Sequence, residues 1–367
     1  MTMDTQIKEW RERVLAAGSN APLRLRGSGS KDFYGQALAG EVLDTRAYQG
    51  VVSYEPTELV VTARCGTPLA ELEAVLAERG QVLAFEPPHF GPAATVGGMV
   101  AAGLSGPRRA QAGAVRDFVL GVQLMDGQGQ VLNFGGQVMK NVAGYDVPRL
   151  MAGSLGSLGL LLEISLKVLP KPVAEATLRL ETSQAKALTL MNQWGGQPLP
   201  ITATAWENGS DGEALMVRLA GARAAVAAAK ASLGGAVLEE GVAAAYWASL
   251  REQTHAHFAG AGEAQASLLW RLSVPSTAPV LDLPGQQLVE WGGAQRWLRS
   301  DADARTLRAA AEKVGGHATL FRATVEGRAA APVFHPLSAP LLAIHQRLKQ
   351  TFDPRGVFAS GRMYEGI

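Results

Sequence analysis

ATVGGMVAAGLSGPRRAQAGAVRDFVLGVQLMDGQGQVL, Ala94–Leu132, is the stretch whose reading decides the fold. Eleven of the chain's 42 glycines fall within Gly91–Gly136, between apolar, strand-like runs. Glycine in such places lets the backbone turn through positive φ or approach a bound group closely. Arg116-Asp117 lead into an alternating Phe118–Val122, and Asp126-Gly127 supplies a turn signal. The stretch offers backbone amides rather than a cluster of charged side chains, which is one way proteins hold phosphate groups.

Upstream, Leu23-Arg24-Leu25-Arg26 alternate as a short strand that runs into Gly27-Ser28-Gly29-Ser30-Lys31. A strand ending in such a turn presents successive N–H groups to an anion, although an ordinary solvent turn reads the same way. The dinucleotide fingerprint G-x-G-x-x-G is not met, because Asp32 stands where its third glycine belongs, and no apolar-periodic helix follows. A plain Rossmann domain is therefore disfavoured. Gln6–Ala17 carries Ile7, Trp10, Val14 and Leu15 at helical spacing, closed by Gly18. Strands are expected at Val51–Tyr54, Glu58–Ala63 and Gln81–Phe85, with a helix between the last two, N-capped by Thr67 and opened by Pro68. Pro87–Pro92 makes a stiff bend before the glycine-rich stretch. This order is an α+β pattern, not a regular βαβ alternation.

At 367 residues, 47% hydrophobic and a net charge of +1, the chain has the composition of a globular protein with no electrostatic call for nucleic acid. Its single cysteine, Cys65, excludes an internal disulfide and an iron–sulfur cluster held by this chain alone. The N-terminus reads as a charged amphipathic helix rather than a signal peptide, and no apolar run approaches the roughly 20 residues that span a bilayer. The expected location is cytoplasmic, with peripheral association at the inner face of the membrane left open.

Arg26–Lys31, Pro87-Pro88, Thr95-Val96-Gly97-Gly98, Ser105-Gly106, Arg116-Asp117, Lys140–Asp146 and Gly153–Gly159 occur in one order. That series resembles the PCMH-type FAD-binding domain of the vanillyl-alcohol oxidase superfamily. Phe352–Tyr364 is similar to the superfamily's C-terminal return to the flavin. Within the superfamily the resemblance is nearest to the FAD-binding E subunits of glycolate oxidase, which partner a catalytic, FAD-containing D-type subunit and an iron–sulfur F-type subunit. The resemblance implies that Gly27, Ser28, Gly29 and Ser30, flanked by Arg26 and Lys31, hold the pyrophosphate. It places Thr95, Val96, Gly97, Gly98, Ser105 and Gly106 on a second cofactor loop. Leu161 would follow the Gly159 turn on the adenine side, and Gly361 and Arg362 would lie near the ring. Pro87, Pro88, Arg116 and Asp117 complete the implied cofactor-binding set, with no metal and no assigned catalytic residue. The flavin would carry the redox chemistry and the protein would supply position and electrostatics.

Two departures from the family pattern bear on function. Ser28–Lys31 stand where covalently flavinylated members carry a flavin-linked histidine, which implies non-covalent FAD. The H-x-G-D-G-N-like cap stretch of D-type subunits has only Gly316-His317-Ala318-Thr319-Leu320-Phe321 as counterpart, without its Asp and Asn. That departure argues against independent oxidation of a hydroxy acid by this chain.

Composition shifts after Pro170, and the expected domains are 1–172 (FAD-binding), 173–336 (an α/β cap domain with an antiparallel sheet) and 337–367 (a helix and tail returning to the first). Cap strands are expected near 177–180, 201–206, 215–219, 268–274, 288–291, 295–298 and 319–323, with helices near 184–194, 222–233, 242–258 and 304–314. No internal repeat stands out. His255 and His257 are two apart, a poor helical spacing for a metal pair. His317 reads more readily as structural than as a metal relic, Lys140 with Asp146 as a structural ion pair, and Arg108-Arg109 as exposed loop charge. Most of Trp206, Trp247, Trp270, Trp291 and Trp297 should be core.

The leading reading is an FAD-binding subunit of a multi-subunit glycolate (2-hydroxy-acid) dehydrogenase, taking part in electron transfer or assembly. The alternatives are a self-sufficient FAD-dependent oxidoreductase using His317 or His335 as base, and a scaffold without flavin.

Overall fold

The computed structural model describes residues 3–36, 38–136, 145–209, 212–260, 268–324, 327 and 331–367. The Lys140–Gly144 motif, and with it the expected Lys140–Asp146 pair, lies outside the described residues. The chain divides into two compact units, one of Met1–Leu104, Ala114–Pro170 and Pro336–Ile367, the other of Ser105–Gly113 and Lys171–His335. The short excursion Ser105–Gly113, read in the sequence with the first domain, groups with the second unit.

The first unit holds strands β1 (Leu23–Arg26), β2 (Glu41–Asp44), β3 (Val51–Glu55), β4 (Val60–Arg64), β5 (Gln81–Val82), β6 (Val119–Met125), β7 (Val131–Gly135), β8 (Leu160–Lys167) and β9 (Leu169–Pro170). β1 and β2 pair in parallel, while β3-β4-β8-β6-β7 form an antiparallel five-stranded sheet. Helix Val96–Ala102 packs on β4 and β8 and against helix Leu69–Ala77, and Val61, Leu72, Val96, Val100, Ile164 and Leu166 of these elements are fully buried. Removing such apolar area from water is what holds these layers together. The N-terminal helix, Met3–Ala16, buries Trp10 and Val14 but leaves Leu15 exposed.

Two local readings change. Helix Leu69–Ala77 is capped at Pro68, and Thr67 serves elsewhere, its Oγ1 accepting the Gly50 N–H at 2.9 Å. Thr95–Ala102 is a helix and its cap, not a loop: Thr95 Oγ1 accepts the Gly98 N–H, and Gly103 closes it at φ 67°.

The C-terminal helix, Ala339–Phe352, feeds a tail that docks beside β1. Leu23 N–H donates to Val357 O at 2.7 Å and Ala359 N–H to Leu23 O at 2.9 Å. Buried Lys349 fixes this return, its Nζ donating to Asp353 Oδ2 (2.6 Å), Phe358 O (2.9 Å) and Ser157 O (2.8 Å). Asp353 in turn accepts the N–H groups of Val357 and Phe358.

The second unit is an eight-stranded sheet made of β10 (Ala174–Glu181), β11 (Ile201–Gly209), β12 (Gly212–Gly221), β13 (Ala236–Val237), β14 (Leu269–Ser273), β15 (Gln286–Glu290), β16 (Gln295–Arg299) and β17 (His317–Arg322). Its order, β13-β10-β12-β11-β15-β16-β14-β17, is antiparallel throughout. The strand orders of the two halves mirror each other about the β11–β15 seam; the first half is a split β-α-β-β-α-β unit, and the second lacks the helix between its first two strands. Helices Gln184–Gly195 and Arg223–Leu233 serve the first half, and Ala304–Lys313 alone the second. Trp206, Trp247, Trp270 and Trp297 are buried, as expected, and Trp291 is half-buried with its indole donating to Gly106 O at 3.1 Å.

Candidate functional site

The end of β1, the start of helix Val96–Ala102, the turn Ser154–Leu161 and the tail Ala359–Arg362 enclose a half-open cavity in the first unit. Its empty space, counted to the solvent at its mouth, is about 1080 Å³.

Arg26, Gly27, Ser28, Gly29, Ser30, Lys31, Thr95, Gly97, Gly98, Gly159, Leu161 and Arg362 all line this cavity. The first loop does so with donors to spare. The N–H groups of Gly27, Ser28 and Gly29 donate to no described residue. Glycine is required here on two counts: Gly29 sits at φ 80°, and a Cβ on Gly27 would overlap Thr95 Oγ1. The second loop works differently. Its amides are committed, Gly97 N–H to Cys65 O at 2.8 Å and Gly98 N–H to Thr95 Oγ1 at 3.2 Å. Gly97 allows close packing instead, since a Cβ there would come within 2.7 Å of Cys65 Cβ. This stretch is a wall, and the first loop is the donor.

The charged groups are held by the fold. Arg26 Nε donates to Asp32 Oδ2 at 2.9 Å. Lys31 Nζ donates to His89 O at 3.0 Å and stands 5.5 Å from the Phe90 ring centroid. Arg362 donates to Asp32 O at 2.8 Å and to Gln36 O. Cys65 is fully buried and desolvation pushes its thiol up to about 12, so it lines the cavity as a neutral, unreactive group.

The remaining sequence-derived residues lie off the cavity wall. Pro87 and Pro88 are buried in the bend beside His89, whose carbonyl takes Lys31, so they act on the cavity at one remove. Val96 is core. Asp117 caps the turn before β6 by accepting the Ala114 N–H at 2.9 Å, with Arg116 exposed beside it. Gly361 N–H donates to Ile367 O. Ser105 and Gly106 belong to the second unit. Arg108 also differs from its sequence reading: it is 8% exposed and lies 3.7 Å from Glu175, while Arg109 stacks on Trp291 at 4.5 Å.

Sequence reasoning missed Arg24, Cys65, Ser154–Gly156 and Ser360 on the cavity wall. Arg24 was findable, because strand alternation puts it in step with Arg26 two residues on. In the second unit, His335 Nε2 lies 2.9 Å from Glu312 Oε1, and its Nδ1 accepts the Ala318 N–H at 3.4 Å. His255 Nε2 lies 3.2 Å from Glu207 Oε2. Among the described residues no group of three or more His, Cys, Asp or Glu side chains is arranged to hold a metal. No described helix is long and apolar enough to cross a membrane.

A sequence profile described as "FAD binding domain" matches residues 6–135. The chain is 51% identical over 349 residues to "Glycolate oxidase subunit GlcE" of Escherichia coli (strain K12), covering 95% of this chain and 94% of that one. It is 30% identical over 194 residues to "Glycolate oxidase subunit GlcD" of Bacillus subtilis (strain 168), covering 52% of this chain and 41% of that protein. A solved structure of alkyldihydroxyacetonephosphate synthase superposes with a TM-score of 0.65 at 15% identity, over 95% of this chain and 73% of that one. The last likeness speaks to fold alone.

Proposed function

Because the chain belongs to the family of glycolate oxidase GlcE subunits, with an FAD-binding domain at its N-terminal end, we propose that the cavity beside β1 is its FAD site. The chain is an FAD-binding oxidoreductase subunit. One observation carries the choice of cavity. Three amides that donate to no described residue, on Gly27, Ser28 and Gly29, belong to a loop lining a space whose wall also bears four cationic side chains and a single carboxylate, that of Asp32.

FAD brings a doubly charged pyrophosphate and, when bound, supplies the redox chemistry. Amides on a glycine turn meet such charge without burying lysines against it. Lys31, steered by His89 O and the Phe90 ring, adds charge at the loop's end. Helix Val96–Ala102 and Cys65 shape the opposite wall, and the tail, clamped by Lys349, closes the cavity at Ser360 and Arg362. Attachment is non-covalent: among the described residues lining the cavity there is neither histidine nor tyrosine, and the Cys65 thiol stays protonated.

The chain then serves a glycolate-oxidising complex beside a catalytic D-type flavoprotein subunit and an iron–sulfur subunit, passing electrons, holding the assembly together, or both. The location that goes with this is cytoplasmic, with membrane contact made through the partners. The histidines a self-sufficient oxidase would use favour the subunit reading. Both ring nitrogens of His335 are engaged, and burial lowers the His317 pKa. The deciding experiment is turnover by the purified chain. No glycolate or D-lactate oxidation with an artificial acceptor is expected from the chain alone, with activity appearing when a D-type subunit is added. Turnover by the chain alone at enzymatic rates, on the order of 1 s⁻¹ or more, would overturn the subunit assignment.

A further inference from the structure

The geometry points to Arg24 as a phosphate-binding residue of the FAD site, gripping the pyrophosphate from β1. This rests on the FAD reading above and goes beyond it, since neither the glycine-loop motif nor the family resemblance assigns Arg24 a role.

Four cationic side chains line the cavity, and three of them are already engaged: Arg26 with Asp32, Lys31 with His89 O, and Arg362 with Asp32 O and Gln36 O. Arg24 makes no side-chain hydrogen bond or ion pair to any described residue, and its Nε is shielded from solvent. A donor buried without a partner is costly, so a fold keeps one where something else completes it. Asp32, the one carboxylate on the wall, is held by Arg26. Arg24 is therefore the cationic side chain on this wall that no described residue pairs.

Arg24 lies three residues before Gly27 on the strand that delivers the unpartnered amides of Gly27, Ser28 and Gly29. Arg24 and the amide-bearing loop thus line one cavity from one strand and its turn. A guanidinium fork pairs bidentately with phosphate oxygens and stays charged at every working pH, so its match within FAD is the pyrophosphate rather than the uncharged ribityl, ribose or ring systems.

The test uses the full-length chain stripped of flavin, titrated with FAD by quenching of flavin fluorescence, and with ADP and adenosine as competitors. Arg24→Met keeps the apolar stem and removes the fork. Its expected effect is a weakening of FAD and ADP by a common factor on the order of 10- to 100-fold, the range of a lost charge-assisted hydrogen bond, with adenosine unchanged. Arg24→Lys, which restores a point charge without the fork, should fall between wild type and Arg24→Met, and carries the test should the methionine variant not fold. Wild-type affinity for FAD in either variant, or equal weakening of adenosine, overturns the assignment to phosphate. A wild-type chain that binds no FAD overturns the parent reading and this one with it.

Discussion

Replacing Lys349 with Met should be among the most damaging single substitutions in the first unit. Its ammonium, 8% exposed, donates to Asp353 Oδ2, Ser157 O and Phe358 O, while the Asp353 side chain is fully buried. Methionine fills nearly the same volume but leaves two carbonyls without their donor and a carboxylate without its counter-ion. Breaking a buried pair from one side costs about 3–5 kcal/mol. Asp353→Asn should cost less, because a carboxamide oxygen still accepts one of the Val357 and Phe358 N–H groups. The double variant removes both charges, so its loss should fall short of the sum of the singles by roughly 0.5–3 kcal/mol, the usual size of coupling between contacting residues. The assay is urea unfolding followed by circular dichroism and tryptophan fluorescence. The same variants should bind FAD more weakly while still folded in the cold, because Lys349 ties the tail wall of the cavity to the Ser154–Leu161 turn. Stability of Lys349→Met within about 1 kcal/mol of wild type, or strict additivity in the cycle, would refute the reasoning.

Other parts of the chain give further testable outcomes. Burial, aided by the charges of His255 and Arg299, lowers the His257 pKa to about 3. As pH falls below 6.5 the unfolded chain takes up a proton there that the folded chain refuses until about pH 3, so His257 makes stability decline across that window. His257→Phe should flatten the acid limb of a stability–pH curve; an unchanged slope contradicts the burial argument. Gly103→Ala should destabilise by more than about 1 kcal/mol, because φ is 67° and the new Cβ would lie 2.7 Å from Gly153 Cα; thermal unfolding checks it. Cys65 should resist alkylation at pH 8 until the chain is unfolded, as its thiol is held neutral near 12; rapid labelling of folded protein, followed by mass spectrometry, would contradict its placement.

The sequence was most legible where period and chemistry agreed. The alternation of Leu23–Arg26 before a glycine turn marks the strand and the loop after it, and the seven expected β-runs of the second unit fall on seven of its eight strands, the two-residue β13 being too short to carry a period. Thr95–Ala102 was misread because two adjacent glycines, each about 1 kcal/mol unfavourable in a helix, hid the signals present: Thr95 as cap, and Val96, Met99 and Val100 at i, i+3 and i+4. The mirrored halves of the second unit left no trace as a repeat, because pairing order is set by backbone ladders that many side chains satisfy. The excursion Ser105–Gly113 was invisible too. Arg109 on Trp291 and Trp291 on Gly106 O are long-range contacts that no local pattern announces. Arg24 was passed over because a charged residue on a short strand is ordinarily solvated; only the cavity shows that its Nε is not.

The most direct test of the FAD assignment is an absorbance spectrum of the chain purified alone, before and after heat release of flavin. A yellow protein that releases about one FAD per chain without proteolysis is expected, as a non-covalent flavoprotein must behave. A colourless protein that takes up no added FAD would contradict the assignment, as would a flavin that stays attached after denaturation.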